Sequence, residues 1–280
     1  MTDDPETLPR SWSWNGQKFS PCLSIPLSDR GFRYGMAVFE SFRVSNGTGE
    51  FLQDHLARLI EACAQRQFAV DLAGLQSVAH LIANLTETSF TRIYVTAGDG
   101  APTDPAPHPR IFVFSENRPA PLPNAPCALT FSKEIFHPLF GGLKTANYWP
   151  NLHALAVARQ AGFDEALLFN QRDELVSACT ANVFLVHGHL ITTPHLASGA
   201  RPGVIRHWVS SSLHLEERPL RYEDVQSADA VFLTNSWTGI LSASSVEKRF
   251  LPISPIAQKL HNTLASSPKC FPPLAHPPHH

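Results

Sequence analysis

Residues 143–170 read LKTANYWPNLHALAVARQAGFDEALLFN, and this stretch organises the second half of the chain. Pro150 suits the first turn of a helix, where its missing N–H costs nothing, and Leu152, Leu155 and Ala156 follow at helical spacing. Gly162 is placed to end that helix, so the pattern predicts a helix over 150–161. Residues 165–170 are a short apolar run of strand length. Lys144 stands just ahead of the helix among glycines, aromatics and apolar residues, with no carboxylate nearby in sequence to pair its charge. A desolvated lysine has a lowered pKa and becomes a nucleophile towards aldehydes. The ordinary reading of a lone lysine is a solvated side chain, and this stretch alone leaves both open.

Working outward, strands are expected at 182–186 and 190–193, turning at His187–Gly188. Pro202 sits where a helix would begin, ahead of Val204, Ile205, Trp208 and Val209. A strand at 230–234 and a closing helix at 256–264 complete this half. Upstream, 127–132 reads as a strand, and ENRPAPLPNAP at 116–126 is an extended, proline-rich connector. Before it come a strand at 39–44 and a helix capped by Asp54 with Leu56, Leu59, Ile60 and Cys63 on its apolar face. A second helical pattern over 72–85 and strands at 91–96 and 111–115 follow. Strands interleaved with helices on both sides of the connector predict a mixed α/β (α+β) chain with two lobes. The division is an N-terminal domain over 1–115, the connector, and a C-terminal domain over 127–265 carrying Lys144. The Pro/His-rich tail, 266–280, is expected to be disordered, and its last histidines could be native or added.

Composition narrows the function classes. With 43% apolar residues, 16% charged and a formal net charge of -2, nothing calls for a nucleic acid or an anionic membrane as partner. No apolar run nears the roughly 18 residues of a membrane span. The acidic start, MTDDPETLPR, lacks the layout of a signal peptide. Five widely spaced cysteines, an odd number, fit reduced thiols, so a cytoplasmic location is expected. No CxxC pair is present, and His187 and His189 sit in an apparent hairpin without a third ligand, so no metal site is expected.

Two more segments could carry chemistry. GARPGVIR, 199–206, is a glycine-containing loop entering a helix, a usual setting for a phosphate, although a plain capped helix reads the same way. Arg58 lies off the apolar face of its helix and could clamp an anion, against the default of a solvated arginine.

The order of these segments resembles the class IV aminotransferase family, which includes branched-chain and D-amino-acid aminotransferases and 4-amino-4-deoxychorismate lyase. SDRGFRYGMAVFESFRV, FLQDHLARL, LKTANYWPNLHALAVARQAGFDEALLFN, SACTANVFLV, RPGVIR and SADAVFLTNSWTGI follow one another in the family's order, from about Asp29 to Val246. The resemblance implies fold type IV, D-amino-acid-aminotransferase-like: two α/β domains with pyridoxal 5'-phosphate (PLP) between them, in a homodimer. Lys144 would hold the cofactor as an internal aldimine and move the proton of a small amino substrate bound as an external aldimine. Arg58 and the backbone of Val204 and Ile205 would hold the phosphate, and Ser236 would add a hydrogen bond.

The sequence departs from the family in ways that bear on activity. Where the family carries a glutamate five residues before the asparagine of its NxF step, here Asn182, this chain has Ser177 (Ala178 if one residue is skipped), with Glu174 close by. Without that carboxylate the pyridine nitrogen would lose its proton, which favours elimination or lyase chemistry over transamination. GDG is replaced by Gly35-Met36-Ala37, and TRG by Thr96-Ala97-Gly98, removing an arginine that could bind a carboxylate. The ArgxHis trap of D-amino-acid aminotransferases has no counterpart, since His108 and Arg110 are in reverse order. The rival to an enzyme is a degenerate relative with a binding or regulatory role.

Overall fold

The computed structural model describes residues 10–122, 125–267 and 269, which divide into two units. The first holds residues 10–120, Lys144–Ala146 and Lys269. Its elements are β1 (Arg10–Trp14), β2 (Phe19–Pro21), α1 (Arg30–Tyr34), β3 (Ala37–Ser45), β4 (Thr48–Gly49), α2 (Leu52–Gln65), α3 (Leu72–Ile82), β5 (Ser89–Thr96) and β6 (Arg110–Asn117). The strands make one sheet in the order β2-β1-β6-β5-β3-β4, and the central pairs are antiparallel. Alternation sets the faces of β3: Val38, Glu40, Phe42 and Val44 are buried, while Ser41, Arg43 and Ser45 are half-buried.

Helix α2 buries Leu52, Leu56, Leu59 and Cys63. It starts earlier than the sequence predicts: Phe51 is the N-cap, at φ 53, and Asp54 lies in the first turn, where a carboxylate suits the helix dipole without capping it. Ile60, expected on the apolar face, is 37% exposed. Asp71 caps α3 by accepting from the Ala73 and Gly74 amides. Arg30, fully buried, donates to the carbonyls of Ala97, Gly98, Ala101, Asp104 and Pro105 at 2.6–3.2 Å, clipping the β5–β6 loop from inside.

The second unit holds the described residues of Pro121–Leu143 and Asn147–Ser267. Its elements are β7 (Ala128–Ile135), α4 (Trp149–Gln160), β8 (Glu165–Phe169), β9 (Leu175–Ala178), β10 (Asn182–His187), β11 (Leu190–Pro194) and α5 (Val204–Ser212). Then come β12 (Glu216–Arg218), α6 (Tyr222–Ser227), β13 (Ala230–Asn235), β14 (Gly239–Ser242), β15 (Ser245–Val246), β16 (Arg249–Phe250) and α7 (Pro255–Ser266). Two sheets form, β12-β11-β10-β13-β14 and β16-β15-β7-β8-β9, around a core that includes Leu129, Leu167, Val183, Leu185, Val231 and Leu233.

On α4, Leu155 and Ala158 pack on Ala166, Leu168 and Cys179, whereas Leu152 and Ala156 are exposed, so its buried stripe is narrower than the sequence predicts. Gly162, at φ +87, ends the helix as expected. Helix α5 begins two residues after Pro202, with Gly203 as N-cap. Among the described residues no helix is long and apolar enough to cross a membrane. The tail beyond Ser267, apart from Lys269, lies outside the described residues.

Lys144 departs from its expected place in the C-terminal domain. Phe39 N donates to Lys144 O at 2.8 Å and Ala146 N to Ala37 O at 2.9 Å, while Thr145 bridges Val38. Residues 144–146 therefore run as a short added strand against the start of β3 and group with the first unit.

Candidate active site

In the first unit, β3 anchors both residues that the sequence singles out, through consecutive positions on opposite faces. Phe39 takes the Lys144 backbone, and its ring lies 4.0 Å from Lys144 Nζ while stacking on Tyr94. The lysine is half-buried against an aromatic wall. Glu40 takes Arg58: Oε1 accepts from Nε at 2.9 Å, and both carboxylate oxygens accept from Nη2 at 2.8 and 2.6 Å.

His55, fully buried, meets the same carboxylate through Nδ1 at 2.7 Å. Burial works to raise the Glu40 pKa, but the Arg58 charge and the His55 hydrogen bond outweigh it and hold the carboxyl at about 2. Burial lowers the His55 pKa more than Glu40 raises it, so the ring is neutral near pH 7. Sequence reasoning missed Glu40 and His55. The available signal was one polar residue at an inward position of β3 and another within the apolar stripe of α2.

In the second unit, the start of α5 leaves its first backbone amides, those of Val204 and Ile205, without a side-chain cap, because its N-cap is Gly203. A Cβ on Gly203 would collide with Asn182 Oδ1, so a larger residue there would have to displace the Asn182 side chain. Asn182 pairs with Thr234 across β10 and β13, and α5 packs on β13. Ser236, half-buried, follows two residues after Thr234, whose buried hydroxyl finds no partner among the described residues.

Ser177 is half-buried on β9, opposite Leu168 of β8. Beyond it, Glu165 accepts from the amide and hydroxyl of Thr180, fixing the turn into β10. Glu174 is already engaged. Its oxygens accept from Arg172 Nε at 3.0 Å, Arg172 Nη2 at 2.7 Å and Asn170 Nδ2 at 3.1 Å, and the Arg172 bond first of all holds its pKa at about 2.

Arg110 is likewise spent, on Asp29 at 2.8 Å and on Asp99 at 2.5 Å. His187 Nε2 meets Asp224 O at 3.1 Å at the end of β10, in keeping with a turn histidine. Cys127 and Cys179 are free thiols, and burial pushes both to about 12.

A phosphorylated aldehyde needs an amine to bond, a cation, and amide or hydroxyl donors for its phosphate. The first unit offers an amine and a cation in Lys144 and Arg58; the second offers the uncapped first turn of α5 and the Ser236 hydroxyl, and the unpartnered Thr234 hydroxyl nearby suits an oxyanion at that helix start. Residues 37–246 match the family described as amino-transferase class IV. The D-alanine aminotransferase of Bacillus licheniformis is 25% identical over 80% of this chain and 83% of its own. The aminodeoxychorismate lyase of Vibrio harveyi is 24% identical, over 87% of this chain and 97% of its own. Among solved structures, 4-amino-4-deoxychorismate lyase from Pseudomonas aeruginosa is 28% identical, covering 91% of this chain and 97% of its own with a TM-score of 0.80. The chain belongs to the class IV amino-transferase family, whose members are PLP-dependent aminotransferases or lyases of fold type IV.

Proposed function

We propose that this chain acts on the amino group of a small amino compound, with lyase chemistry on an aminodeoxychorismate-like substrate favoured over transamination. When bound, PLP supplies an aldehyde for amines and an electron-accepting ring. Lys144 holds the cofactor and carries the proton at the substrate carbon. Arg58, pinned by Glu40, holds the phosphate together with the amides of Val204 and Ile205 and the Ser236 hydroxyl. Ser177 would be the side chain offered to the ring nitrogen. A hydroxyl bonds a neutral nitrogen, whereas a carboxylate would keep it protonated.

The observation that carries the lyase reading is Ser177 at the family's glutamate position, with Glu174 committed to Arg172 and Asn170. The likeness to the Vibrio and Pseudomonas lyases supports it. A homodimer working in the cytoplasm belongs to the same proposal.

The test is an absorbance spectrum with added PLP, on wild type and Lys144→Ala, followed by parallel lyase and transaminase assays. A visible band that borohydride removes and the variant lacks, with lyase turnover dominant, is the expected result. Transaminase turnover equal to or above lyase turnover would sink the lyase assignment. No band at saturating PLP would sink the catalytic reading.

A further inference from the structure

Among the cations given no role so far, Arg201 is held in place yet has no acidic partner among the described residues. Arg201 stands two residues before the N-cap of α5, half-buried, and three contacts within its own unit fix it. Asn182 Nδ2 donates to its carbonyl at 2.8 Å, its Nε donates to Gly142 O at 3.2 Å, and its guanidinium lies 5.7 Å from the centre of the Tyr148 ring.

The backbone around it is tightly packed. A Cβ on Gly142, at φ +86, would meet Gly199 O at 2.9 Å and Ala200 O at 3.0 Å, and one on Gly199 would meet Pro138 Cγ at 2.2 Å. Gly142 and Tyr148 flank Lys144 in sequence, two residues before it and four after.

No carboxylate pairs with Arg201 among the described residues, and its only side-chain hydrogen bond uses Nε. Both terminal nitrogens are left over on a fork that is already oriented, which suits a carboxylate bound at two points. A solvated surface arginine would not be held at its carbonyl, its Nε and its ring face at once.

We propose that Arg201 receives a carboxylate of the amino substrate and so selects amino acids over simple amines. This rests on the reading that Lys144 and PLP take the substrate's amino group. The cofactor phosphate could in principle use the same fork, but it has Arg58, two helix amides and Ser236. The substrate carboxylate lacks the arginine that Ala97 replaces, and Arg110 is engaged by Asp29 and Asp99.

The experiment compares wild type, Arg201→Leu and Arg201→Lys, each loaded with PLP. Its probes are cyclohexene-1-carboxylate and the neutral cyclohexene-1-carboxamide, ring mimics of the proposed substrate, with PLP affinity measured in the same samples from the visible band. Wild type is expected to prefer the acid. Arg201→Leu should weaken acid binding by about tenfold or more, leaving the amide and PLP affinities unchanged, and Arg201→Lys should recover part of the loss. With a turned-over amino acid, Arg201→Leu should raise KM far more than it lowers kcat.

A loss of PLP affinity with the acid preference intact would assign Arg201 to the phosphate and overturn the proposal. So would unchanged acid binding in Arg201→Leu, which would leave it a purely structural cation over Tyr148. Failure of wild type to form the PLP band would instead strike the functional reading beneath it, and the substrate role with it.

Discussion

Glu40 is a carboxylate at a core position of β3, held ionised there by Arg58 and His55. Its folded pKa, about 2, lies below its ordinary value of 4.5. The stability this adds is therefore complete above pH 4.5 and is lost as pH falls through about 2. Its size is on the order of 3 kcal/mol for a shift of this kind. Glu40→Gln should be less stable than wild type at neutral pH, because Arg58 keeps a partly buried charge without its partner. It should also lose less stability than wild type on acidification to about pH 3, as urea unfolding at each pH would show; parallel losses in the two proteins would refute this. Lys144 and Arg58 were singled out in the sequence by the order of motifs. Glu40 and His55 were not, because which charges meet across β3 and α2 depends on packing that neither segment's local pattern encodes.

At the level of elements, long periodic segments were legible: α2, α3, α4, β5, β6 and β10 lie within a few residues of where the sequence puts them. The detail of each face was not. Ile60, Leu152 and Ala156 continue an apolar pattern yet are exposed, because a helix buries only the sector that its neighbours cover. Strand β9, four residues long with Ser177 in it, gives no run long enough to read, and β15 and β16 are shorter still. The loop ahead of Lys144 depends on Gly142, whose φ of +86 and closeness to two carbonyl oxygens both exclude a side chain. Gly142→Ala is expected to destabilise the protein by about 2 kcal/mol. Equilibrium denaturation checks this, and a change within about 0.5 kcal/mol, the range of ordinary surface substitutions, would show that the loop can relax.

For the whole molecule, the sequence reads as two lobes around a proline-rich connector; the described residues divide into two units, and the start of the expected connector, Glu116 and Asn117, belongs to β6. The assignment of Lys144–Ala146 was not legible, because the bridge from Thr145 to Val38 spans most of the first unit in sequence. Each unit also shows apolar side chains that its own packing leaves open. In the first, Leu23, Leu27 and Phe32 are 96%, 77% and 63% exposed; in the second, Trp149 is 81% exposed. Surface of this kind favours association, and sedimentation velocity is expected to show a dimer. Phe32→Glu and Trp149→Glu, tested separately, should shift the protein towards monomer, and a wild-type monomer at micromolar concentration would contradict the expectation.

Arg30 carries one more consequence. Its side-chain hydrogen bonds to the β5–β6 loop go to five main-chain carbonyls and to no side chain of that loop. Every residue type offers the same carbonyl, so the guanidinium fixes the path of the loop while remaining blind to its lettering. Away from Gly98, whose φ of +67 and closeness to the His108 carbonyl exclude a side chain, the loop can therefore change what it displays without changing where it runs, and new chemistry can be tried there on a frame that does not have to be rebuilt each time.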